Sequence, residues 1–417
     1  MQERSRQSRR RIITRGLVVL MILAAPVVYA VTATEAPAGF DNLTNGSTDQ
    51  ATMDTARAAF DQVEQISDGL GPNYNAQSCR ECHQNPVSGT ISQITEERAG
   101  VFDGANFTDH PGGSLIFSRA IDPSIQVRLV GTDNVAAFRT SLNIAGDGFV
   151  EALPDSFFTS TQSFQASFGV GLQGTIIRVP VNEAAAGTTR IARFGWKNQH
   201  ASLLSFAADA YRNEMGITSP LQPTEATSNG VDVSHFNTTN GVPAIQDAPK
   251  PGAPFGGDIN NFTIFMRALK APPRDTVLAA TSDAQAGASL FHSVGCDICH
   301  VSSMTTAPAG TSFNGGQFIV PAALGSKTIH PYSDFMLHDV GTGDGIVQNG
   351  GQGTRNMVRT PPLWGMRTRN RLMHDGESLK RIDAILRHTN QADPVINNFI
   401  NLSTTQQNQI ITFLNSL

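Results

Sequence analysis

Hydrophobic and polar positions change their spacing several times along the chain. Residues 16–31 (GLVVLMILAAPVVYAV) form one apolar run, interrupted by Pro26 and preceded by a basic stretch over 1–15. Small residues follow, with Val28-Tyr29-Ala30 and Val31-Thr32-Ala33 as candidate cleavage sites. Basic, apolar and small regions in that order predict a secretory signal peptide over residues 1–33. The alternative is an uncleaved anchor, but the run is short for a bilayer span of about 20 residues. No other stretch approaches that length, so no stable membrane span is expected after cleavage. Residues 34–50 read as a linker, 51–125 as a first module, 126–275 as a long middle insert and 276–417 as a second module. The insert mixes alternating segments such as Ile176-Ile177-Arg178-Val179 with helix-like stretches such as 201–215. At the C-terminus, Ser403-x-x-Gln406 has the pattern of a capping box, and Ile410, Leu414 and Leu417 fall on one helical face. The fold class expected is mainly α: two cytochrome c-like modules around a loop-rich middle segment with a few short strands.

Composition narrows the function. Charged residues make up 16% of the 417 positions, against roughly 25% in an average soluble protein. Six arginines and one acid lie in the first 33 residues, so their removal takes the formal charge from −5 to −10. A chain of that charge is repelled by nucleic acid and favours a basic partner.

The four cysteines decide the chemistry. Cys79-Arg80-Glu81-Cys82-His83 and Cys296-Asp297-Ile298-Cys299-His300 are both CxxCH and together use every cysteine. Two thiols three apart on one helical turn can bond the two vinyl positions of one porphyrin, and the next residue offers its imidazole to the iron. Chance predicts about 10⁻³ such motifs in a chain with this many Cys and His. Zinc would need four thiolates brought together and would leave the histidines without a use. Two covalently bound haem c groups are therefore expected, with His83 and His300 as axial ligands. Tyr74 and Phe291 each lie five residues before the first Cys of a motif, which makes the two modules a weak internal repeat.

Further segments carry a resemblance. They are Gly71-Pro72-Asn73-Tyr74-Asn75, Arg193-Phe194-Gly195-Trp196-Lys197, Pro331-Tyr332-Ser333-Asp334, Leu337-His338-Asp339-Val340-Gly341, Arg359-Thr360-Pro361-Pro362-Leu363-Trp364-Gly365 and His374-Asp375-Gly376. From about residue 55 onward the chain resembles the di-haem oxidoreductases often labelled thiol oxidoreductases. These are related to the bacterial di-haem cytochrome c peroxidases and to the enzyme that matures methylamine dehydrogenase. No cysteine is left over to support the thiol label.

The resemblance implies a distal ligand for the second haem fourteen residues beyond His374, and that position is His388. Met366 and Met373 are the alternatives, while His338 and His374 are read as residues that hold the pocket by hydrogen bonds. For the first haem, His110 is either a labile distal ligand or, the weightier reading, a loop histidine. Gln93, Glu96, Glu97 and Glu151, the last in a segment Gly146-Asp147-Gly148-Phe149-Val150-Glu151 that resembles the family's pattern, are candidates for moving a proton during peroxide cleavage, with a solvated side chain the weightier reading of each. Trp196 is a candidate electron relay between the haems, as a tryptophan is in the relatives, or a packed core indole. The relatives also hold calcium between their domains, but no loop here matches an EF-hand.

The function expected is a periplasmic di-haem oxidoreductase that reduces peroxide or a related oxidant at the N-terminal haem. Its electrons would come from a small periplasmic donor, a cytochrome c or a copper protein. A non-catalytic electron carrier and a haem oxygenase acting on an organic substrate are the alternatives.

Overall fold

A polar first turn and an apolar stripe start the ordered chain. In the helix Gln50–Asp61, Asp49 caps the N-terminus by accepting from the Thr52 N–H, and Met53, Ala56 and Phe60 point inward. The computed structural model describes residues 32–169, 171–239 and 241–417. Nearly all of the expected signal peptide lies outside these residues. Phe60 packs on Phe265 at 4.8 Å and edge-on to Phe262 at 6.1 Å, which joins this helix to the helix Gly257–Ala268. The helix Leu203–Met215 completes the group, with Tyr211 edge-on to Phe262 at 5.0 Å. Ser202 caps it and Gly216, at φ 71°, ends it in the left-handed region where glycine is favoured.

The C-terminal part has its own apolar cluster. The helix Ser282–Val294 crosses the terminal helix Thr404–Asn415 at Gly287, where a Cβ would collide with the Gln409 carbonyl. Phe291 meets Phe413 at 5.3 Å, and Ile410, Leu414 and Leu417 are buried around them. The Ser403–Gln406 capping box forms as its spacing predicts.

The mainly α expectation does not hold. The described residues are 33% helix and 16% strand, with twelve α-helices and several small sheets. The largest sheet has four strands. Thr95–Phe102 pairs antiparallel with Val135–Thr140 from Thr95↔Thr140 to Gly100↔Val135, and also with Phe107–Asp109 and Leu115–Ile116. Its first strand begins Thr-Glu-Glu-Arg, which by local propensity favours helix. Cross-strand packing overrides that preference. Strand Thr34–Glu35 runs parallel to Lys327–Ile329, and Asn45 Nδ2 donates to the carbonyls of Arg267 and Leu269. The segment read as a linker is thus fastened at both ends. No described helix is long and apolar enough to cross a membrane.

Candidate functional site

Each CxxCH motif opens onto its own cavity. In the first, Cys79–Cys82 is a single helical turn, and the His83 N–H returns to the Cys79 carbonyl at 3.1 Å. In the second, Gly295 at φ 96° ends the helix Ser282–Val294 and turns the chain into Cys296–Ile298. The His300 N–H then returns to the Cys296 carbonyl at 3.0 Å. The four cysteines form no disulfide. Burial pushes the Cys82 and Cys296 thiols up to about 12, so both are neutral thiols at ordinary pH.

The cavity beside Cys296, Cys299 and His300 is lined largely by apolar side chains, together with His338, His374, His388, Met366 and Met373. The rings of His300 and His388 meet in it, centroids 6.4 Å apart and planes inclined at 65°. His300 Nδ1 donates to the Tyr332 carbonyl at 3.0 Å and His388 Nδ1 to the Ala384 carbonyl at 2.8 Å. Each Nε2 is thereby left unprotonated. Burial drives both imidazoles below their ordinary pKa, His300 to about 4, so both are neutral. A metal atom shared by two such nitrogens would need bonds of about 2 Å to each. The donor set fits a haem iron.

His338 does not take part in this arrangement. Its Nε2 binds Asp334 Oδ2 at 2.8 Å, and Asp334 is held in turn by Gln165. Its Nδ1 stands 3.9 Å from Cys299 Sγ. These three side chains are the one group of three or more His, Cys, Asp or Glu ligand atoms close enough to share a metal among the described residues. The thiol belongs to the CxxCH motif. His374 Nε2 contacts the Thr342 carbonyl, and its ring lies edge-on to Trp196 at 6.1 Å.

The cavity beside Cys79, Cys82 and His83 has a different wall. His83 Nδ1 donates to the Thr90 carbonyl at 3.0 Å, and His83 is the one imidazole among the lining residues. The wall also carries Glu96, Glu214, Arg98, Arg139, Asp147 and Tyr211. Glu96 binds Arg98 Nε at 2.7 Å, and Arg98 and Arg139 hold it below the usual carboxylate range. Glu214 shares a hydrogen bond with Glu96 and receives another from Asn75 Nδ2 at 3.1 Å. Burial and the charge on Glu96 push Glu214 up to about 8. At neutral pH the pair therefore holds one proton, on Glu214. Leu142, Trp196 and Arg359 line both cavities, and Trp196 Nε1 donates to the Thr140 carbonyl at 2.8 Å.

Residues 116–417 match the family described as "Di-haem oxidoreductase, putative peroxidase". The chain belongs to the di-haem oxidoreductase family. Among solved structures it is similar to hydrazine synthase of Kuenenia stuttgartiensis, at 14% identity over 98% of this chain and 100% of that chain, with TM-score 0.36. It is also similar to a MauG-like protein associated with microbial copper homeostasis, at 14% identity over 94% and 95% of the two chains, with TM-score 0.40. No curated protein matches it.

Other candidates lie elsewhere in this di-haem oxidoreductase. Glu151 is fully buried and lines neither cavity. It is paired with Arg267 at 2.6 Å and accepts from Asn314 and the Leu203 N–H, which fits it for holding three segments together rather than moving protons. His110 also lines neither cavity. It is buried, and its Nδ1 is bonded to Asp133 at 2.8 Å. Gln93 is exposed, and Glu97 is a half-buried position of the strand Thr95–Phe102 paired with Phe138. Beside Trp196, an oxygen cage formed by Asp344 Oδ1 and the carbonyls of Thr354, Arg355 and Met357 surrounds the Lys197 ammonium at 2.6–3.2 Å. This cage already holds a cation of its own and does not fit calcium.

Sequence reading missed Glu214, Arg98 and Arg139. The available signal for Glu214 was a carboxylate one turn from Tyr211 and Ala210, on the helical face that lines the cavity beside His83.

Proposed function

We propose that the protein is an exported, periplasmic di-haem c oxidoreductase that reduces hydrogen peroxide beside His83. Cys79 and Cys82 would anchor the first haem through thioethers, with His83 as axial ligand; Cys296 and Cys299 would anchor the second, between His300 and His388. When bound, the two haems supply storage for one electron each and, where an iron face is open, a site for peroxide.

The observation that carries this reading is the asymmetry of the two cavities. One brings two neutral imidazoles, His300 and His388, together. The other offers one imidazole and, elsewhere on its wall, a carboxyl pair carrying one proton. Reduction of peroxide consumes two electrons and two protons and yields two waters. Ionised Glu96 is suited to accept the proton of one peroxide oxygen, and Glu214, protonated at neutral pH, to give its proton to the other. Arg98 and Arg139 keep Glu96 ionised, and that charge keeps the proton on Glu214. Trp196 touches both cavities and offers an aromatic step between them. The electrons would come from a small periplasmic cytochrome c or copper protein, with a basic surface suited to a mature chain of charge −10.

Stopped-flow mixing of the half-reduced protein with hydrogen peroxide tests the proposal. The expected result is fast oxidation in which both haem signals change together. If both haems stay six-coordinate in every redox state and peroxide only bleaches them slowly, the protein is an electron carrier instead.

A further inference from the structure

Three arginines reach the cavity beside His300 without an acidic partner. Arg359 is buried; its Nη1 donates to the Arg193 carbonyl at 2.8 Å, and its Nε has no hydrogen-bond partner. Arg369 donates to Thr140 Oγ1 at 3.3 Å and to the Ser141 carbonyl. Arg381 donates to the Met366 carbonyl at 3.3 Å, and its Nε is also unpartnered. None of the three forms an ion pair with a described residue. Burial alone pulls Arg369 down to about 10 and lowers Arg381 as well, with no acid nearby to offset it. Trp364 lines the same cavity, and its Nε1 is a further buried donor without a partner.

The cavity beside His83 is built differently. Its Arg98 and Arg139 are each matched, to Glu96 at 2.7 Å and to Asp344 at 2.6 Å. Arg359 is the one guanidinium on that wall without an ion pair, and it is also the one that lines both cavities. Its nearest acids, Asp147 and Asp334, act on it only through longer-range attraction.

A buried guanidinium with no counter-charge is strongly disfavoured, and its donors are unsatisfied unless something in the cavity accepts from them. Guanidinium groups match carboxylates in a two-point geometry. A haem tethered by its vinyl edge carries two propionate carboxylates on the opposite edge. We propose that Arg359, Arg369 and Arg381 bind haem propionates and that Arg359 is shared, serving a propionate of each haem. This rests on the two-haem reading above. Arg359 also donates its backbone N–H to the Trp196 carbonyl at 2.8 Å. The shared cation therefore sits at the same junction as the indole that touches both cavities, and the charge on either haem is felt at the other.

The test is a spectroelectrochemical titration of the two-haem holoprotein. A nearby positive charge favours the reduced iron, so its loss lowers the midpoint potential. Arg359→Gln is expected to lower both potentials, and Arg381→Gln that of the C-terminal haem alone. Arg359→Lys keeps the charge and should shift both less. A shift confined to one haem in Arg359→Gln overturns the sharing. Unchanged potentials in both glutamine variants, with two haems present by intact mass, overturn the propionate assignment. If Arg359→Gln does not accumulate with two haems, the propionate bending bands of Arg359→Lys in resonance Raman carry the same test: changed bands on both haems are expected, and unchanged bands overturn the proposal. Wild-type protein with fewer than two haems by mass would instead overturn the reading on which the proposal rests.

Discussion

The rings of His300 and His388 stand 6.4 Å apart between centroids with planes inclined at 65°, each fixed by an Nδ1 hydrogen bond to a backbone carbonyl. Neither ring can turn without losing that bond, and the proposal puts one haem iron between them. His388→Ala is expected to convert one low-spin haem to high spin and leave the other unchanged. His388→Met should restore low spin and raise that haem's potential, because thioether ligation favours ferrous iron. EPR and optical redox titration read both outcomes. Unchanged spectra in both variants would pass the role to Met366 or Met373, which line the same cavity.

The Glu96–Glu214 pair gives a pH dependence with a definite sign. Glu214 titrates near 8, raised from an ordinary value near 4.5. Below pH 8 it holds the proton that peroxide cleavage needs, so the rate with peroxide should be level at lower pH and fall as pH rises through about 8. Glu214→Gln should slow that step by about 10²- to 10⁴-fold and remove the fall near pH 8. Stability carries the same linkage. Between pH 4.5 and 8 the folded chain binds a proton that the unfolded chain has lost, so this group's contribution becomes less favourable as pH rises through that window. Glutamine removes the titration. The thermal midpoint of Glu214→Gln relative to wild type should therefore climb from pH 5 to pH 8.

Glu151 is expected to behave in the opposite way. Its carboxylate is fully buried between Arg267, Asn314 and the Leu203 N–H. Glu151→Gln strands the Arg267 charge, and breaking a buried pair from one side costs about 3–5 kcal/mol. The denaturation midpoint should drop by several degrees while the peroxide rate per intact haem stays near wild type. A selective loss of rate at unchanged stability would return Glu151 to the reaction.

How much of this was legible in the sequence depended on distance along the chain. The CxxCH motifs are local: two thiols and an imidazole lie within five residues, so spacing alone is enough to propose a haem there. His388 was singled out because its segment resembles a known family, and the structure brings it into the cavity beside His300. Glu214 was not, since its meaning comes from Glu96 on a distant strand, and nothing in either segment announces the pairing. The same reason hid the four-stranded sheet, whose first strand reads locally as helix and is decided by Val135–Thr140. Glu151 misled in the other direction. A carboxylate in a segment that resembles the family pattern looks chemical until Arg267 is seen beside it.

Lys197 gives the last prediction. Its ammonium is 2% exposed and meets Asp344 Oδ1 at 2.9 Å and three carbonyls between 2.6 and 3.2 Å. Asp344 also holds Arg139 at 2.6 Å, so the cage is tied to the wall beside Glu96. Lys197→Met removes the charge and leaves a carboxylate and three carbonyls facing a methyl group. That change should destabilise the protein by about 3–5 kcal/mol, as for a buried pair broken from one side. Lys197→Ala empties the cage without filling it with apolar surface. Oxygen ligands around a vacated position suit a hard cation. Millimolar calcium should therefore raise the thermal midpoint of Lys197→Ala and leave that of wild type and Lys197→Met where they were. Calcium stabilising wild type as much as Lys197→Ala would mean that the ion acts elsewhere and that the lysine does not stand in for a cation.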